Sequence, residues 1–142
     1  MATKRERILE AIKTNLTGTV GVDTRIFRSR VEAFTRAETP AIVIEPISDT
    51  PQDTQSFNDK ITFELKIRVS VIVRGSTPDS VADPTIESLH TKVLNDPSLG
   101  GLSIDIKPST TSFEILEADE AAGVISCEFD IEYRTAYNSL TT

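Results

Sequence analysis

The chain has 142 residues, 38% hydrophobic and 26% charged, with 22 acidic against 15 basic residues and a net charge of −7. That length suits one domain around a single core. The apolar content is too high for disorder, and no apolar run approaches the ~20 residues of a membrane span. The acidic balance argues against sequence-specific nucleic-acid binding, which needs clustered Lys and Arg against the phosphates. The single cysteine, Cys127, has no internal disulfide partner, and the N-terminus lacks the apolar core of a secretory signal. Both features read as those of a protein made in a reducing cytoplasm.

Thr3-Lys4-Arg5-Glu6 matches a capping box, and Ile8, Leu9, Ile12 and Leu16 follow at helical spacing. The pattern predicts a helix over 4–16, with Gly18 to Val22 as the turn that ends it. Residues 25–30 suit a short strand, and Val31 with Phe34 suits a helical turn over 31–37. Pro40 and Pro46 bracket the apolar run 41–45, which reads as a strand covered on both faces. Residues 48–59 are polar and aperiodic, a loop of about a dozen residues.

The stretch from Lys60 to Arg74 dominates the chain. Ile61, Phe63, Leu65, Ile67, Val69, Val71 and Val73 fall on every second position, with mostly polar residues between them. Such alternation predicts a strand with one buried face and one wetted face. Burying its apolar face at ~2 kcal/mol per side chain contributes roughly 14 kcal/mol of gross driving force.

Gly75 to Asp79 breaks that strand. Asp83-Pro84 then looks like a helix start, with Ile86, Leu89, Val93 and Leu94 as the apolar face and Asn95-Asp96-Pro97 as the stop. Leu102, Ile104 and Ile106 alternate, whereas Phe113 and Ile115 resume on the opposite parity beyond Pro108. Holding both sets on one face requires a bulge around 107–109. Residues 118–123 suit a hairpin turn, and Ile125, Cys127, Phe129, Ile131 and Tyr133 form a second alternating strand. The polar tail 138–142 reads as frayed. The expected fold is α+β, one domain over 1–142 in the order α-β-β-β-α-β-β. Four to five mainly antiparallel strands would carry two helices on one face.

Catalytic chemistry finds little support in these residues. His90 is the sole histidine and has no assignable nucleophile or orienting acid. One His and one Cys make no transition-metal cluster, the acidic residues match no calcium loop, and Gly100-Gly101 lacks a phosphate-binding context. Cys127 lies on the buried parity, where a thiol is usually inert packing. No catalytic, cofactor or metal residue is therefore assigned. Charge is more informative. Glu128, Asp130 and Glu132 line the outward face of the last strand, and Lys60, Lys66, Arg68 and Arg74 that of the long one. Antiparallel neighbours would pair these charges across the sheet. Arg25, Arg28, Arg30 and Arg36 concentrate basic charge within twelve positions, and a neighbouring subunit's acidic loop, with Asp49, Asp53 and Asp59, would be a natural complement. Arginine forks suit carboxylates at interfaces, so Arg28, Arg30, Arg36, Asp49, Asp53 and Asp59 are the candidate contacts between subunits or with a partner.

Taken in order, several stretches resemble the tail terminator proteins of tailed bacteriophages. They are Phe27-Arg28-Ser29-Arg30-Val31-Glu32-Ala33, Arg36-Ala37-Glu38-Thr39-Pro40-Ala41, Glu45-Pro46 and Val73-Arg74-Gly75, then Ala82-Asp83-Pro84, Leu89-His90 and Leu99-Gly100-Gly101-Leu102. Ala118-Asp119, Ala122-Gly123 and Glu132-Tyr133-Arg134-Thr135 complete the series. The resemblance implies a non-enzymatic virion protein, made in the host cytoplasm and placed in the tail neck. Its implied assembly is a hexameric ring that caps the head-proximal end of the tail tube, stops tube growth and meets the head connector. In a contractile tail the ring also meets the sheath, and DNA only passes through the lumen. No cofactor and no membrane is implied. The polar 48–59 insertion departs from the leaner family pattern. Two other classes stay open on the residues alone: a small cytoplasmic α+β protein-binding module, and an enzyme built around His90 or the carboxylates.

Overall fold

The computed structural model describes residues 2–29, 39–52, 59–116 and 122–142. Among these residues two α-helices, α1 (Lys4–Leu16) and α2 (Pro78–Leu94), accompany five strands: β1 (Ile26–Arg28), β2 (Ala41–Pro51), β3 (Lys60–Arg74), β4 (Asp105–Leu116) and β5 (Ala122–Ala136). The strands form one sheet in the order β1-β2-β3-β5-β4, antiparallel except where β1 runs parallel to β2. The α+β class and the element order are as the periodicities predict.

The centre of the sheet is the β3–β5 pair, in unbroken register from Lys60 opposite Ala136 to Arg74 opposite Ala122. Leu65, Ile67, Val69, Val71 and Val73 are fully buried, and Ile125, Phe129 and Ile131 face the same core. From α1 come Ile8, Leu9, Ile12 and Leu16, and from α2 Ala82, Leu89 and Val93, all in that cluster. Thr3 caps α1 as expected, its hydroxyl accepting from the Glu6 amide at 3.2 Å.

Several boundaries differ from the sequence reading. β2 does not end at Glu45. It continues to Pro51 through a bulge between Pro46 and Ser48, because the long β3 offers backbone partners that far out. Residues 48–51 are thus strand, and residues 53–58 of the expected loop fall outside the described residues. Helix α2 begins at Pro78 rather than at Asp83-Pro84, which leaves Pro84 inside it. Pro78 and Ala82 are buried, and a Cβ on Gly123 of β5 would lie 2.4 Å from the Pro78 Cβ. That close docking of the first turn onto the sheet offsets the hydrogen bond lost at Pro84.

β4 begins at Asp105, so Ile104 lies outside the strand and is exposed. Its bulge falls between Pro108 and Thr111, overlapping the expected 107–109. Ala122 and Gly123 belong to β5 rather than to the preceding turn. The tail is not frayed. The Leu140 carbonyl accepts from the Lys4 amide at 2.7 Å, and the Thr141 carbonyl accepts from the Arg7 guanidinium, so the tail closes the open end of α1. The helical turn expected over 31–37 and most of the turn before β5 fall outside the described residues.

Candidate functional site

Chemistry-bearing side chains gather in four places: the solvated sheet face, the two charged anchors at the sheet margins, and the free edge of β4. On the solvated face the cross-strand pairing expected of the two long strands is present. Lys66 sits opposite Asp130, with Nζ 2.8 Å from the carboxylate, and Arg68 sits opposite Glu128 at 3.8 Å. Arg68 also reaches Glu45 of β2 at 3.4 Å. The hydrogen bond to Asp130, with the surrounding acidic charge, holds the Lys66 pKa above the ordinary lysine value.

One row departs from this matching. Glu64 lies opposite Glu132, and Glu132 lies opposite Asp105, so three carboxylates cross three strands, with Lys107 3.9 Å from the Asp105 carboxylate. Like charges directly opposite each other destabilise a sheet by a few tenths of a kcal/mol or more. The row borders a small hollow of about 40 Å³ that Lys107 and Asp130 complete.

The residues proposed from sequence as interface contacts are only partly within the described residues. Arg28 stands at the end of β1, and its guanidinium donates to both oxygens of Glu6 at 2.6 and 3.0 Å and to Glu10 at 2.6 Å. It clamps α1 to the sheet edge. The same bonds hold the Glu6 carboxyl below the usual carboxylate range and raise the arginine further. Asp49 is largely buried at the outer end of β2. It accepts from Arg5 at 3.0 Å and from the Tyr133 hydroxyl, while its other oxygen has no partner among the described residues. Phe63 stacks on Tyr133 with centroids 5.3 Å apart. Burial first, and the Asp49 bond second, push the Tyr133 phenol well above its ordinary pKa. Asp59 sits at the turn into β3, where its carbonyl accepts from the Tyr137 amide. Arg30, Arg36 and Asp53 lie outside the described residues. The structure therefore brings Arg28 and Asp49 to carboxylate and cation partners of the same chain, and not to each other.

The remaining chemical candidates stand apart. His90 is exposed on α2, and Cys127 is buried in β5, where desolvation raises its thiol pKa. Among the described residues no group of three or more His, Cys, Asp or Glu is arranged to hold a metal ion, and no helix is long and apolar enough to cross a membrane.

The exposed apolar pair at the free edge was missed by sequence reasoning. Phe113 and Ile115 were expected on one face with the apolar residues before Pro108, and the bulge does place them on the helix-covered face, opposite Ile125 and Gly123. They are nonetheless 66% and 67% exposed, because neither α1 nor α2 covers that end of the edge strand. With Pro78, Gly123 and Ile125 they line an open hollow of about 230 Å³, bordered by Asp79 and Glu114. The sequence signal for this was the polar run Ser109-Thr110-Thr111-Ser112, which makes a poor buried strand.

No family model matches the chain, and neither does any curated protein. Among solved structures it is similar to a chain from the virion of a native gene transfer agent particle. The TM-score is 0.58 at 12% identity, and the match covers 92% of this chain and 91% of that one. At that identity the likeness is one of fold, extending over nearly the whole length of both chains.

Proposed function

We propose that this chain is a non-enzymatic structural protein of a phage-like virion, and more narrowly a tail terminator. In this reading six copies close a ring on the head-proximal end of the tail tube, stop tube growth and present a surface to the head connector. The observation that carries it is the near full-length likeness in fold to a virion chain, joined to the ordered series of terminator-like stretches in the sequence. The carboxylate row Glu64, Glu132 and Asp105 adds support even with Lys107 3.9 Å from Asp105, since like charges set opposite each other cost the fold stability and a lumen that passes DNA is served by acidic charge.

Within the ring, Arg28 and Asp49 act as anchors. Arg28 fixes the strand that leads into Arg30 and Arg36, and Asp49 fixes the strand that leads into Asp53. The contacts to a neighbour or the tube are then made by Arg30, Arg36, Asp53 and Asp59. Electron microscopy of tails assembled with and without the protein tests the function. Overlong tails that fail to join heads are expected in its absence, and tails of normal length that join heads would overturn the reading. Arg30→Glu with Arg36→Glu tests the contacts: a folded protein that no longer caps tubes is expected, and normal capping would exclude those residues.

A further inference from the structure

We infer that the outer half of β4, residues 111–116, accepts an extended segment of a partner protein as a sixth strand, apolar at alternate positions and carrying Lys or Arg between them. The inference holds whether or not the chain is a ring protein. β4 is an outermost strand, and no strand among the described residues pairs with its far side. Its backbone there offers donors and acceptors to an added strand.

The two halves of this edge differ in kind. The first half carries Lys107, Pro108 and the bulge, all of which discourage strand addition. The second half carries neither lysine nor proline, and it presents Phe113 and Ile115 two-thirds exposed. Beside them Pro78 and Ile125 complete the hollow of about 230 Å³, which is sized for one or two aliphatic side chains.

Charge decides the occupant. Asp79 and Glu114 border the hollow, in a chain of net charge −7. The basic residues between the apolar positions of the incoming strand share the solvated face with Glu114. A second copy is the poorer occupant. It brings another net −7, and stacking Phe113 against the second copy's Ile115 in an antiparallel pair sets the two Glu114 side chains opposite each other.

The probe is an acetylated and amidated peptide, KVTVKVT, titrated into the isotope-labelled full chain and followed by NMR. Shift changes confined to residues 78–79, 111–116 and 123–125 are expected, with slowed amide exchange at alternate positions in 111–116. Replacing both lysines of the peptide by glutamate should weaken binding roughly tenfold, the equivalent of about 1.4 kcal/mol. Phe113→Lys with Ile115→Lys changes two exposed side chains, so the protein should stay folded and lose the response. No response to the lysine peptide, an equal response to the glutamate peptide, or shifts centred elsewhere would overturn the proposal. So would protection of 111–116 without peptide together with a doubled mass, since the occupant would then be a second copy.

Discussion

β5 and β4 lie side by side, and each carries apolar residues on alternate positions, yet the same pattern meets opposite fates. On β5, Phe129 is 2% exposed beneath the helices, whereas Phe113 on β4 is 66% exposed on the same face of the same sheet. Alternation selects the face toward which a side chain points. Whether that face is covered depends on where the second layer stops, and α2 starts at Pro78, over Gly123, leaving the end of β4 open. A buried face stabilises the fold, and an uncovered one is available to a partner.

The comparison can be broken most directly at the centre. Ile67→Asp places an unpaired charge among fully buried side chains, at a cost of several kcal/mol, and should leave no cooperative thermal transition. A melt near the wild-type midpoint would mean that the wrong region has been taken as the core. Phe129→Ala should follow with a loss of about 3–5 kcal/mol in urea unfolding.

Where the two regions meet, Gly123→Ala drives a methyl group into Pro78, 2.4 Å from its Cβ. A loss of about 1–3 kcal/mol is expected, with the start of α2 displaced, visible as raised amide exchange over its first turn. Unchanged stability would show that the helix does not rest on that glycine.

The outer end of the central pair has a pH signature. Burial and the Asp49 carboxylate raise the Tyr133 phenol above its ordinary pKa of ~10, so the folded chain keeps that proton longer than the unfolded chain does. Its contribution is complete below about pH 10 and is lost as the pH climbs from there through the raised folded value. Tyr133→Phe should flatten the alkaline decline in denaturation midpoint, and parallel declines in both proteins would refute the assignment.

At the free edge the effect should be smallest. Phe113→Ala is expected to change stability by about 0.5 kcal/mol or less, against the much larger loss at Phe129. A loss comparable to Phe129→Ala would show that the edge is part of the core after all.

The sequence by itself was sufficient for the elements whose stability is local or one-dimensional. The Thr3 capping box marked the start of α1, and the alternation of Ile61 to Val73 marked β3 and its buried face. The change of parity beyond Pro108 announced the bulge in β4. Opposite charges on β3 and β5 were visible as sets, though which partners meet depended on register. The tertiary structure alone decided the rest, because the deciding contacts join distant residues. β2 runs on to Pro51 because β3 is there to pair with it, and α2 starts early because Gly123 lets Pro78 approach. Arg28 is spent on Glu6 and Glu10, and Asp49 on Arg5 and Tyr133, partners up to 84 positions apart in the chain. Phe113 and Ile115 are left uncovered by a helix whose reach no local pattern encodes, since coverage is a property of how layers overlap in space.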